Sequence, residues 1–187
     1  AVIGSLMYVP VNVFGGLWGN AELLADHHLS TVGAETAVSM IFWGMAVGSV
    51  GAGALSDRLG HRKWIICLTS WAAVPVWLAI LLSPTQSTTV LSALLFVAGF
   101  LGGAQMLTFA AAKYGQDAAH VGTVVAFVNM IGIGSALIFQ PLVGALLDAT
   151  AQDYSTALSV LPICLGVAGA LAFFIPEGAK QKSSESE

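Results

Sequence analysis

Glu22 is an acidic residue inside an apolar run, which covers about residues 1–25 of this 187-residue sequence. Asn12, Gly15 and Gly19 precede it at three- and four-residue spacing, which places all four residues on one face of a helix. A carboxyl group in apolar surroundings keeps its proton to a higher pH than a solvated one, so Glu22 is a candidate proton-coupling residue. Because Glu22 lies close to the end of the run, a solvated position at the rim is the alternative.

Other polar side chains also stand inside apolar runs. A polar group is costly in apolar surroundings unless it has a partner, so such side chains face a neighbouring helix or a cavity. Three have structural alternatives: Asn129 as the partner of another helix, Gln140 as a donor to a carbonyl freed by the following proline, and Trp18 as an interfacial anchor. We predict a cavity lined by Asn12, Trp18, Gln105, Asn129 and Gln140.

The overall composition indicates which environment holds these side chains. Hydrophobic residues make up 57% of the sequence and charged residues 9%, whereas average soluble proteins carry roughly 25% charged residues. This balance excludes an ordinary soluble enzyme and a disordered chain. The net charge of −4 and the six basic residues leave no basic face for nucleic acid. What remains is an integral membrane protein whose partner is the lipid bilayer.

Runs without Lys or Arg divide the chain into segments that are long enough to cross a bilayer, which takes about 20 residues of helix. They are twice as long as the strands of a membrane barrel and do not alternate, so we predict an all-α bundle of six transmembrane helices. The longest run can tilt or bend at Pro141. Residues 176–187 are predicted to be a disordered cytoplasmic tail. The predicted helices cover about 1–25, 34–55, 64–82, 90–112, 121–147 and 155–175.

The basic residues all fall in alternate breaks between these runs or in the tail. Basic residues mark the cytoplasmic side of a membrane protein, so both termini of the chain are predicted to be cytoplasmic, in the inner (cell) membrane. The breaks on the other side carry Asp26, Asp148 and Asp153. The six basic residues are Arg58, Arg62, Lys63, Lys113, Lys180 and Lys182.

Glycines recur four residues apart within two of the predicted helices, at Gly44 and Gly48 and at Gly99 and Gly103. Small residues let helix backbones approach closely in lipid, so tight packing is the favoured interpretation. Points where helices slide or hinge during a conformational cycle are the alternative.

The second break carries the strongest local motif, residues 53–63. Gly60 indicates a tight turn, and Asp57 stands where it can pair with Arg58 or Arg62 or face the positive end of another helix. The motif resembles the Gly-x-x-x-Asp-Arg-x-Gly-x-Arg-Lys loop of the major facilitator superfamily of transporters. The matching residues are Gly53, Asp57, Arg58, Gly60, Arg62 and Lys63.

Further segments resemble bacterial members of that family: residues 14–19 resemble its seventh helix, and residues 127–130 and 139–144 its eleventh. The resemblance implies the C-terminal six-helix half of a twelve-helix protein, built from two inverted three-helix repeats, here 1–82 and 90–175. The partner would be a missing N-terminal half. It also implies a cavity lined by the first, second, fourth and fifth helices, and a conformational latch at the motif.

The predicted function is therefore that of a half of a secondary active transporter, which moves a small solute by alternating access, with protons as a candidate coupling ion. The alternative is a non-transporting six-helix module, such as a sensor or a dimerising scaffold. No enzyme activity, cofactor or metal site is expected, since the runs hold no paired aspartates, Ser–His pair or HExxH helix. All histidines fall in breaks and are expected to be solvated: His27, His28, His61 and His120.

Overall fold

A computed structural model describes residues 1–175, and within them it contains helices and no strand. Six helices are long and apolar enough to cross a membrane, which confirms the all-α bundle. The tail predicted over residues 176–187, with Lys180 and Lys182, lies outside the described residues. The helices are α1 (Val2–Ala25), α2 (Thr31–Leu59), α3 (Arg62–Leu82), α4 (Thr88–Lys113), α5 (Ala118–Ala149) and α6 (Tyr154–Ala172).

Most of the helices extend past the apolar runs because polar residues form their last turns. α2 begins three residues before its run, where the Ser30 hydroxyl accepts a hydrogen bond from the amide of Gly33. It continues past the run to Leu59 and ends at Gly60, whose φ of 70° places it in the left-handed region that glycine adopts without strain. Hydropathy therefore located the helices, and capping residues set their ends.

Helices α1 and α5 depart from regular α geometry where they face each other, and α4 and α6 are irregular as well, at Gly103–Gln105 and between Ala157 and Val160. Residues Val11–Trp18 of α1 form a π-helical segment directly after Pro10. α5 is interrupted at Ser135, between Ala118–Gly134 and Ala136–Ala149, and it stays helical through Pro141. The α-helix is therefore interrupted at Ser135 and not at Pro141, and the Ser135 hydroxyl donates to the Gly132 carbonyl over 2.6 Å, which competes with the backbone hydrogen bonds.

Alternate loops meet at the same end of the bundle, as an up-and-down topology requires. At one end, which we call the basic end, Arg62 Nη1 of α3 lies 3.5 Å from the Ala110 carbonyl of α4. At the other, the acidic end, the α1–α2 loop contacts the α3–α4 loop, and Ser155 Oγ donates to the Leu81 carbonyl over 2.7 Å. The acidic end carries Asp26, Asp148 and Asp153.

Helix α2 packs most extensively against α4, and α1 contacts α2, α5 and α6. The core includes an edge-to-face contact between Phe14 of α1 and Trp77 of α3, whose ring centroids are 5.1 Å apart. Helices α2 and α5 are the least buried, with 22% and 17% of their apolar windows inside the bundle, against 44–50% for the others. These two helices occupy equivalent positions, second in each set of three.

Candidate functional site

Hydrogen bonds from polar side chains join α1 to α5. The Asn12 side-chain amide donates to the Gly132 carbonyl over 3.0 Å and to the Ser135 hydroxyl over 3.2 Å. Both acceptors lie where α5 is interrupted, so the irregular backbone of one helix meets the π-helical segment of the other. Such irregular segments occur often at functional sites of helical proteins.

Gln140 and Trp18 continue this row of contacts toward the acidic end. The Gln140 side chain donates to the Asn12 carbonyl over 2.9 Å, and the Trp18 indole N–H donates to the Gln140 carbonyl over 3.1 Å. Gln140 therefore satisfies a carbonyl of α1 rather than one freed by the proline of its own helix. The Trp18 indole likewise bonds to a neighbouring helix.

A cavity of about 300 Å³ opens between α1 and α5 beside these contacts. Trp18 and Gln140 supply its polar groups, and Leu17, Leu137 and Pro141 are among its apolar walls. A mostly apolar pocket with a few convergent polar groups is the usual form of a small-molecule site. Three of the five predicted cavity residues, Asn12, Trp18 and Gln140, are thus brought together, and two of them line the cavity.

The other two predicted cavity residues lie elsewhere. Asn129 is exposed on α5, about one turn before Gly132, and it has no hydrogen-bond partner within residues 1–175. Gln105 lies in the tight turn Gly103–Gln105 of α4, where it is buried and its side-chain oxygen has no partner among the described residues. Neither residue lines the cavity between α1 and α5.

Glu22 and His27 form a buried pair at the acidic end of α1. The two side chains are 0% and 2% exposed, and Glu22 Oε1 lies 3.1 Å from His27 Nε2. His27 Nδ1 lies 2.7 Å from the Thr85 carbonyl in the α3–α4 loop. The solvated rim position for Glu22 and the solvated position expected for His27 are therefore both wrong, because the α3–α4 loop folds over this end of α1.

The electrostatics of the α1–α2 loop follow from this burial. The contact with Glu22 raises the pKa of His27, although desolvation of the imidazole acts in the opposite direction. Desolvation raises the pKa of the neighbouring Asp26, and the charge of Asp153 adds to that increase. The loop therefore favours protonated states of both residues.

Sequence reasoning missed two members of this region, Ser135 and His27. Ser135 is buried and stands in an apolar run after two glycines, and that placement inside the run was an available signal. For His27 the signal was weaker, because a histidine five residues after an acidic residue pairs with it only when the chain turns back after the helix.

The loop motif lies at the basic end, with its residues in different surroundings. Arg58 lines a cavity of about 360 Å³ between α2, α3 and α4, and Lys63 Nζ lies 5.9 Å from the Trp64 ring centroid. The ion pair expected between Asp57 and Arg58 or Arg62 is absent from the described residues. Arg62 points instead toward the Ala110 carbonyl.

The glycine pairs of α2 and α4 pack backbone against backbone, which confirms close packing at these four positions. A methyl group on Gly44 would meet the Phe96 carbonyl, and one on Gly48 would meet the Phe100 carbonyl. Gly53, the motif glycine, has open space around it instead.

The sequence was compared with models of known protein families. The model of the Major Facilitator Superfamily matches residues 1–187. The chain belongs to the Major Facilitator Superfamily. Its members are transporters rather than enzymes, so the six apolar helices are those of a multi-pass membrane transporter protein. Comparison with curated proteins and with solved structures found no match.

Proposed function

We propose that the chain forms the C-terminal half of a secondary active transporter that moves a small solute by alternating access. The observation that carries this proposal is the cavity between α1 and α5, where Trp18 and Gln140 converge beside irregular backbone. In transporters, irregular helix segments near the substrate site are tolerated because they line a cavity. The missing N-terminal six-helix half would supply the opposite wall.

The exposure of α2 and α5 supports a second half. These helices are second in the two proposed inverted repeats, residues 1–82 and 90–175, and they bury the least surface within the bundle. Alternating access by rocking of two halves needs such a broad surface on each half, because the contacts must exchange during the cycle. We infer that α1, α2, α4 and α5 face the substrate path and that α3 and α6 face lipid.

The chemistry of the cavity favours an uncharged or weakly polar solute. Its polar atoms belong to an indole and an amide, and the described helices place no Lys or Arg beside it. Transport sites for highly charged anions commonly contain arginine or lysine. Gln105 and Asn129 stay candidates for contact with solute or with the second half, since each has an unpartnered side chain within residues 1–175.

The motif at the basic end is proposed as the latch between the two halves. Asp57 and Arg58 are exposed and make no ion pair within residues 1–175, so their charges are available to a surface outside the bundle. Gly60 shapes the turn after α2, and Arg62 Nη1 lies 3.5 Å from the Ala110 carbonyl of α4. We further propose that this end is cytoplasmic in the inner membrane, because it carries all the basic residues of the described helices.

A ligand-stabilisation screen on the full-length transporter in detergent tests the function. Solutes that raise the melting temperature are then assayed for uptake into proteoliposomes. Saturable uptake by the full-length protein, and none by the six-helix chain alone, is the expected result. Uptake by the six-helix chain unaided would end the half-transporter proposal, and stabilisation without uptake would favour a sensor or scaffold.

Trp18→Phe tests whether the α1–α5 cavity is the solute site. The variant keeps an aromatic wall and loses the hydrogen bond to Gln140, so we expect KM for uptake to rise by about tenfold while the protein stays folded. Trp71→Phe is the matched comparison, since it makes the same substitution at an exposed position of α3, which we propose faces lipid, and it should leave KM unchanged. An unchanged KM in Trp18→Phe would place the solute elsewhere.

A further inference from the structure

The Glu22–His27 pair differs from a surface ion pair because both side chains are shielded from solvent. The number of protons on the pair therefore depends on the few protein groups that surround it. Both side chains are buried, and His27 is the one residue among 1–175 whose polar atoms reach the Glu22 carboxylate. A carboxyl and an imidazole enclosed in this way exchange protons as one unit.

The Thr85 contact fixes which nitrogen of His27 carries hydrogen. A backbone carbonyl only accepts hydrogen bonds, so Nδ1, at 2.7 Å, must be the donor. Nε2 then lies 3.1 Å from Glu22 Oε1, close enough for the pair to hold a second proton, either as imidazolium with carboxylate or as neutral imidazole with carboxylic acid. Both forms contain two protons and no net charge.

Removal of one proton leaves two acceptors, the Thr85 carbonyl and the Glu22 carboxylate, and a single donor, the one N–H group of the neutral His27 ring. The neutral imidazole then either keeps Nδ1–H on Thr85 and faces the carboxylate with a lone pair, or shifts its hydrogen to Nε2 and loses Thr85. Either choice breaks one contact, and the carboxylate is left charged in a buried position, which is costly. Departure of the proton is therefore coupled to separation of α1 from the α3–α4 loop.

We propose that Glu22, His27 and the Thr85 carbonyl form a one-proton switch, which fastens the acidic end of α1 to the α3–α4 loop when loaded and releases it when the proton leaves. The inference rests on the proposed transport function for its role, since it names the site at which a proton would be coupled to opening of the acidic end. His27 is the positioning residue for Glu22 in this switch.

The other charged groups around the pair do not duplicate this arrangement. Asp26 and His28 follow α1 on the same segment and are exposed, and Asp153 acts on Asp26 from the α5–α6 loop. The α3–α4 loop, residues 83–87, has no ionisable side chain and contributes the Thr85 carbonyl. The contact with Glu22 raises the pKa of His27, which favours the protonated state in which the switch holds α1 against the α3–α4 loop.

Hydrogen exchange of the full-length transporter in lipid nanodiscs tests the switch. Amide protection of residues 83–91, corrected for the intrinsic pH dependence of exchange, should fall by about tenfold as the pH rises through the titration of the pair. In Glu22→Gln the side-chain amide can donate to a neutral Nε2 through its NH2 group or accept from a protonated Nε2 through its oxygen, so the protection should persist and lose its pH dependence. His28→Gln, a neighbouring exposed histidine, should behave like the unmodified protein.

Protection that does not change with pH in the unmodified protein would overturn the switch, whatever the variants do. So would a pH dependence that Glu22→Gln leaves intact or that His28→Gln removes. Uptake driven by a proton gradient in the same preparation separates this proposal from the transport function. A pH-dependent contact without such uptake supports the switch and contradicts proton coupling, whereas uptake without the pH-dependent contact overturns the switch alone.

Discussion

Two contacts within the bundle use opposite chemistry to hold helices together. Helix α2 meets α4 through the glycine pairs Gly44 and Gly48 and Gly99 and Gly103, which bring backbone against backbone. Helix α1 meets α5 through side-chain hydrogen bonds among Asn12, Ser135, Gln140 and Trp18.

These two kinds of contact differ in how easily they can change during a transport cycle. Interlocked backbones gain dispersion energy over a rigid surface, and any sliding loses it at once. Side-chain hydrogen bonds can exchange partners by rotation of a few torsions, and they leave room for the cavity of about 300 Å³ beside them. We infer that α2 and α4 move as one body and that α1 and α5 adjust around the solute.

Gly99→Ala should break the first contact and has the largest expected effect. The added methyl group would meet the carbonyl of Ile41, a backbone atom that cannot move aside without shifting α2. We expect a loss of about 3 kcal/mol or more of stability, and poor recovery of folded protein. Thermal unfolding followed by size-exclusion chromatography measures the loss.

Gly102→Ala, on the same helix, is the control for that experiment. A methyl group there meets no atom within 4 Å, so stability should stay within about 0.5 kcal/mol of the parent. Because alanine has the higher helix propensity, equal losses in the two variants would mean that lipid contact or a general effect of the added methyl group, and not the α2–α4 contact, sets the effect.

Asn12→Ala should weaken the second contact by a smaller amount. The variant loses both donations to α5, and hydrogen bonds between membrane helices contribute about 0.6–1.7 kcal/mol. Asn129→Ala removes the same side chain from an exposed position of α5 that makes no hydrogen bond with α1, and it should lower the melting temperature less than Asn12→Ala. If Asn12→Ala were as costly as Gly99→Ala, the distinction between a rigid and an adjustable contact would fail.

Asp153 lies outside both contacts, so Asp153→Asn should have the smallest effect on stability. The Asp153 carboxylate accepts hydrogen bonds from the amide and hydroxyl of Thr156, and these lower its pKa. Its contribution is therefore present above the ordinary aspartate pKa and is lost as the pH falls through the lowered value. We expect a melting temperature about 2 °C lower at neutral pH, and a difference from the parent that closes in acid.

Much of the fold was predictable because it depends on local properties of the chain. The six helices followed from run length, and the glycine pairs at Gly44 and Gly48 predicted close packing. Part of the site was predictable for the same reason, since Asn12, Trp18 and Gln140 are polar residues inside apolar runs. The hydrogen-bond partner of each residue was not predictable, because partners lie far apart in the chain. Gln140, for example, donates to the Asn12 carbonyl, 128 positions away.

The six apolar helices, the family motif from Gly53 to Lys63 and the separation of basic from acidic loops could all be read from the amino-acid sequence, because hydropathy and charge act position by position. The tertiary structure decided which polar residues share a cavity and which histidine is buried. His27 and His28 are adjacent in the chain, yet one is buried against Glu22 and Thr85 and the other is exposed. That difference arises from the fold of the α3–α4 loop over the end of α1, a long-range contact that local sequence does not encode.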